Sequence, residues 1–120
     1  MTIRAIRGAT TLDVDEREHL HKRTIELVEA MLAENELSTD DLISIFFTCT
    51  PDIHADFPAA AARGLGLGDL PLMCAVEMNV DGALGRVIRV MAHAHLETPR
   101  REVKHVYLHD AVSLRKDLAQ

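Results

Sequence analysis

Within residues 15–35 the apolar side chains Leu20, Leu27, Val28, Met31 and Leu32 recur at helical spacing. That period predicts one amphipathic helix of about five turns, its apolar stripe turned towards a core. Asp13 and Asp15 offer N-caps ahead of it, and further acids fall in the expected first turn. Before the helix, Ile3–Thr11 reads as a strand, weakly alternating and rich in β-formers towards its end. After it, Ser38-Thr39-Asp40-Asp41 resembles a capping box around a short turn. Leu42–Cys49 is then a nearly continuous apolar run whose β-branched and aromatic content predicts a buried strand. Thr50-Pro51-Asp52 breaks it. Pro58–Arg63 reads as a short helix, with proline in the first turn and four alanines behind it.

Gly64, Gly66, Gly68 and Pro71 mark a flexible crossing to a third strand over residues 72–78, and Asp81-Gly82 with Gly85 make a turn. Residues 86–96 suit a helix by propensity, but their pattern predicts a strand. Ile88, Val90, Ala92, Ala94 and Leu96 fall on one face, and Arg89, Met91, His93 and His95 on the other. A last strand is expected over residues 103–108, with His105 and Tyr107 on one face, and Leu114 and Leu118 are candidate anchors for a polar tail. The expected fold class is α/β in the α+β sense: a mixed sheet of about five strands packed on one long helix plus a short helix. For the second face of that sheet the chain has only the short helix, so self-association is expected.

A chain of 120 residues without linker, repeat or low-complexity tract is one domain, residues 1–120. Its net charge of −6 and its few aromatics (Phe46, Phe47, Phe57 and Tyr107) speak against nucleic acid, which needs a basic field and stacking platforms. The first residues lack the order of a signal peptide and no apolar run approaches a membrane span. Cys49 and Cys74 are therefore expected as reduced, buried thiols, and the cytoplasm as the compartment.

Seven histidines invite a metal reading. His19 and His21 point in different directions on a helix. His93 and His95 share a strand face but have no third ligand at recognisable spacing, so no metal is expected and the histidines are read as solvated. No serine sits in a glycine-flanked elbow, and Gly64-Leu65-Gly66-Leu67-Gly68 lacks the lysine of a phosphate loop. The arginines carry more. Surface charge is the competing reading of any one of them, but Arg7, Arg63 and Arg89 accompany Gly8, Phe57 and apolar strands in an acidic chain. Such a set points to an anion site, since guanidinium groups clamp carboxylates through paired hydrogen bonds.

Ile6-Arg7-Gly8-Ala9-Thr10-Thr11 closely resembles the opening of the AroH-type chorismate mutases. Residues 50–59 resemble their central loop and short helix. Arg86-Val87-Ile88-Arg89-Val90-Met91, His105-Val106-Tyr107-Leu108 and Leu114-Arg115-Lys116-Asp117-Leu118 follow in order and at similar spacing. The resemblance covers nearly the whole chain. It implies a homotrimer whose sheets form a pseudo-α/β-barrel with active sites between subunits, and a cofactor-free Claisen rearrangement of chorismate to prephenate that feeds phenylalanine and tyrosine synthesis. By the same resemblance Arg89 stabilises the breaking ether oxygen, and Arg7 and Tyr107 hold a substrate carboxylate. Glu77 accepts from the ring hydroxyl beside Cys74, while Met73 and Phe57 line the substrate. Arg63 and Arg115 are rim arginines. Two positions depart from the pattern: Ala60 stands where some members carry a lysine, which leaves the entrance less basic, and Lys116 stands where a proline is usual. The alternative is a non-catalytic trimer that binds a small carboxylate on the same scaffold. A trimeric deaminase of small imines has no motif here beyond size and symmetry.

Overall fold

The computed structural model describes residues 2–114; Arg115, Lys116 and Leu118 lie outside the described residues. Five strands, β1 (Ile3–Thr11), β2 (Leu42–Cys49), β3 (Leu72–Val76), β4 (Val87–His95) and β5 (Val106–Tyr107), form one mixed sheet in the order β3-β2-β4-β1-β5. The central pairs β1/β4 and β2/β4 are antiparallel, and the flanking pairs β2/β3 and β1/β5 are parallel. Helices α1 (Arg17–Glu34) and α2 (Pro58–Arg63) complete the fold.

The buried stripe of α1 is Leu20, Thr24, Leu27, Val28 and Met31. Leu27, Val28 and Met31 pack with Ile6, Ile45, Phe47, Val90 and Ala92, and Ala62 of α2 joins the same cluster, while Leu20 packs with Leu12 and Ile88. The short helix thus lies beside α1 on one face and does not cover the other, contrary to expectation. Its buried residues Pro58, Ala61 and Ala62 are small, so α2 fits closely under α1. The opposite face keeps Phe46 at 42% exposure and Met73 at 60%. Leu42–Cys49 is therefore buried on one side only, alternating about Phe47.

Several element ends differ from expectation. The N-cap of α1 is Glu16, which makes no side-chain cap bond. Asp15 instead accepts the His54 and Ala55 N–H groups at 2.8 and 3.1 Å, while Asp13 pairs with Arg23. The strand expected over 72–78 ends at Val76, and the one expected over 103–108 shrinks to Val106–Tyr107. Residues 100–102 turn in a 3-10 helix, and the backbone of Lys104 is taken by Asn35 at the end of α1, leaving few groups for the sheet. Both cysteines are free thiols and only partly buried. Nor are the histidines merely solvated. His19 accepts the Asp13 N–H, His21 meets Asp56, and His109 meets Glu26. Among the described residues no helix is long and apolar enough to cross a membrane.

Gly8 sets how closely α1 approaches β1. A Cβ there would overlap Met31 Sδ and stand 3.1 Å from Leu27 Cδ1. Met31 is unbranched and yields more easily than a β-branched neighbour would. Gly8→Ala should therefore cost about 1–3 kcal/mol of stability, towards the lower end. A shift in the denaturation midpoint at unchanged slope would measure it.

Candidate active site

The register of β2, β4 and β1 decides which side chains meet on the open face. Arg7 lies opposite Met91, and Met91 opposite Phe46. On the next row of that face Ala9 lies opposite Arg89, and Arg89 opposite Thr48. Parallel pairing of β5 places Tyr107 beside Ala9. Residues two apart on a strand share a face, so these rows enclose one groove of about 320 Å³, lined by Arg7, Phe46, Thr48, Arg89, Tyr107 and Leu114 among others.

Glu77 reaches this groove from just beyond β3. Its N–H donates to the Cys49 carbonyl at 2.9 Å, which holds the chain against β2 past the last strand residue. Arg89 Nε then donates to both Glu77 carboxylate oxygens, at 3.0 and 3.1 Å, and the Thr48 hydroxyl donates to Oε2 at 2.7 Å. Glu77 is 17% exposed and Arg89 46%. Such a half-exposed pair contributes no more than about 1 kcal/mol to stability. Its larger effect is orientation. Among the described residues, no hydrogen bond engages the terminal nitrogens of Arg89 or the guanidinium of Arg7. Two planar cations thus line a largely apolar groove with their terminal donors unspent, an arrangement suited to a small carboxylated anion.

Tight connections hold the ends of the strands that carry these groups. The Thr50 hydroxyl accepts the Val87 N–H at 2.9 Å and donates to Asp52 at 2.6 Å, and Asp52 accepts the Arg86 N–H at 2.9 Å. The Thr50 hydroxyl and the Arg86 amide hold the Asp52 carboxyl below its ordinary range. Arg86, with φ of 50°, begins β4 from that clamp. The loop bearing Phe57 is tied to α1 through Asp15, and through Asp56 with His21 at 2.7 Å and Arg17 at 3.3 Å. The His21 bond and the Phe57 N–H hold the Asp56 carboxyl down as well.

Of the residues singled out in the sequence, the structure brings Arg7, Glu77, Arg89 and Tyr107 together, with Met73 further along the same face. Cys74 pairs with Phe47 and so points to the helix side. It lines a second, more open groove of about 590 Å³ together with Cys49, His54, Phe57 and Val76. Burial pushes the Cys49 thiol up to about 12, with Cys74, Glu77 and Asp15 adding to the effect, so it is no thiolate nucleophile. Phe57 is 70% exposed and Arg63 is exposed at the end of α2, both away from Arg89 within this one chain. Arg115 lies outside the described residues. Thr48 and Phe46 belong to the groove without having been singled out. Alternation along β2 was the available signal, since it puts both on the face opposite Phe47.

The fold is a small α/β domain whose open sheet face carries an arginine-lined groove, and comparison with known proteins gives the family. The model of the family "Chorismate mutase type I" matches residues 3–118. Chorismate mutase AroH of Bacillus subtilis (strain 168) is 42% identical over 120 residues, covering 99% of this chain and 94% of that one. Chorismate mutase AroH of Thermus thermophilus is 46% identical over 117 residues, covering 97% and 96%. A solved chorismate mutase structure from Clostridium thermocellum superposes with a TM-score of 0.89 at 43% identity, covering 91% of this chain and 97% of that one. The chain belongs to the type I chorismate mutases, a family of isomerases.

Proposed function

We propose that this protein converts chorismate to prephenate, supplying phenylalanine and tyrosine synthesis, and that the groove between Arg7 and Arg89 does so by conformer selection and charge stabilisation. The supporting observation is Arg89 itself: Glu77 takes its Nε and leaves its terminal nitrogens facing the groove. In this rearrangement the ether C–O bond breaks as a C–C bond forms within one molecule. No proton moves and no nucleophile attacks, so neither cofactor nor metal takes part. The site has two tasks. Arg7 and Tyr107 hold a carboxylate so that the reacting carbons stay within reach of each other. Arg89 donates to the ether oxygen as it gains negative charge. Glu77 accepts from the ring hydroxyl while keeping Arg89 in place.

The open sheet face supports a trimer. Phe46 and Met73 expose apolar surface in a continuous row with Met91, as an interface core would. In the assembly each groove is closed by a neighbouring copy, which supplies Phe57 and Arg63 as wall and rim and brings its Met73 and Cys74 segment close. The direct test is loss of chorismate absorbance with purified protein, with prephenate identified as product and the mass measured by light scattering. Turnover by a trimer is the expected result. Tight binding of chorismate without turnover would move the protein to a carboxylate-binding role, and a monomer with full turnover would end the shared-site reading.

A further inference from the structure

Arg7 is held at its backbone by an unusual partner. Pairing between β5 and β1 covers only Gly8↔Val106 and Ala9↔Tyr107, followed by the Leu108 N–H donating to the Ala9 carbonyl at 2.9 Å. One step upstream, the backbone that would continue the pairing is already engaged. The Lys104 carbonyl accepts from Asn35 Nδ2 and the Lys104 N–H donates to Asn35 Oδ1, both at 2.9 Å. The Arg7 N–H would be left without an acceptor at this edge, and His105 Nδ1 takes it at 2.9 Å. The imidazole thus replaces a missing carbonyl of the ladder, immediately behind a guanidinium of the groove.

We propose that His105, as a neutral imidazole protonated on Nε2, is a positioning residue for substrate binding: by accepting the Arg7 N–H it fixes the stretch of β1 from which the Arg7 guanidinium reaches the anion. The inference rests on the chorismate reading of the groove. An imidazolium has no lone pair on Nδ1, so protonation turns this acceptor into a second donor facing an N–H and breaks the contact. Burial, and then the Arg7 charge, hold the His105 pKa below its ordinary value, which keeps the ring neutral at pH 7. Among the described residues Arg7 on β1 is the charged group acting on it. Asn35, which follows α1 and holds the Lys104 backbone, is neutral, and the Lys104 side chain next in the chain is exposed.

The test compares wild type, H105N and H105L in chorismate kinetics from pH 5 to 8. Asparagine presents Oδ1 where the imidazole presents Nδ1, but does not titrate. Mispositioning of Arg7 should cost about tenfold in affinity, the size of one hydrogen bond lost to the substrate carboxylate. Wild type should therefore keep a constant KM above about pH 6.5, rising by about tenfold as the imidazole protonates at lower pH, with kcat changing much less. H105N should hold a KM close to the neutral-pH wild-type value across the range, and H105L a KM raised about tenfold at pH 7.5. A low-pH rise in KM that persists in H105N would overturn the proposal, as would an H105L variant with wild-type KM. So would a KM that falls on acidification, which would mean that the added charge draws the dianion in. Should H105L fail to fold, nitrogen NMR of the wild-type imidazole decides: Nδ1 must be the unprotonated nitrogen at pH 7.5, and the opposite tautomer refutes the contact. Absence of turnover by wild type at pH 7.5 would instead count against the chorismate reading, and leaves the NMR outcome readable.

Discussion

Arg89→Gln should lower kcat/KM for chorismate by about a thousandfold or more, some 4 kcal/mol of barrier, with most of the loss in kcat. The ether oxygen carries little charge in the ground state and gains it only as the C–O bond breaks, so the interaction is stronger in the transition state and acts on rate more than on affinity. Glutamine keeps a donor but loses the charge and the reach. Arg89→Lys separates the two: it keeps the cation but cannot donate from Nε to Glu77 while presenting two further donors to the groove, so a large part of the defect should remain. Both variants leave the Glu77 carboxylate with the Thr48 hydroxyl as its surviving partner. Glu77 keeps that bond and the Arg89 side is 46% exposed, so the stability change should stay within about 1 kcal/mol, which thermal unfolding of each variant would check. A kcat for Arg89→Gln near wild type, in folded protein, would remove Arg89 from the chemistry.

How far the sequence could be read depended on whether one physical rule governed each segment. In β4 it did. One face packs on helices and the other does not, so Ile88, Val90, Ala92 and Ala94 alternate with Arg89, Met91, His93 and His95, and the pattern overrides a helical propensity. The stripe of α1 was legible for the same reason. The end of the sheet was not. Residues 103–108 look extended, but whether they pair with β1 depends on Asn35, which is 69 positions from Lys104 in the chain. The N-cap of α1 failed similarly, because Asp15 serves the 54–55 backbone instead of its own helix. At the site, types and spacing pointed to an arginine anion site and stopped there. The joining of Glu77 to Arg89 runs through the β2 register, which a linear pattern does not state. Resemblance supplied Glu77 and Tyr107, whereas Thr48 was open to a period-two reading of β2 that the apolar run concealed. Cys74 and Phe57 lie away from Arg89 within one chain, because the β2/β3 register turns Cys74 to the helix side and Phe57 lines the second groove, neither of which a linear pattern states.

In the proposed trimer, Phe46→Asp should separate the copies into monomers without unfolding them. Phe46 lies outside the cluster that packs α1 and α2 on the sheet; its neighbours are the His93 ring, edge-on at 6.1 Å, and the Met91 and Met73 positions on either side. Within one chain an aspartate there remains hydrated and costs little. In a trimer the same carboxylate is carried into an apolar contact between the Met73 and Met91 positions, and the Arg7 and Arg89 guanidinium groups of the same groove offset only part of a cost of several kcal/mol in each copy. Because the copies are equivalent the penalty enters at every interface, and mass action then favours the monomer at working concentration. Light scattering should report one-chain mass, circular dichroism an unchanged helix and strand content, and chorismate assays a loss of at least about a hundredfold, since Phe57 and Arg63 of a neighbour no longer close the groove. A variant that stays trimeric would show that this face is not the interface. A monomer that turns over chorismate at the wild-type rate would show that one chain holds the whole site, and Phe57, Arg63 and Cys74 would then have to be withdrawn from it.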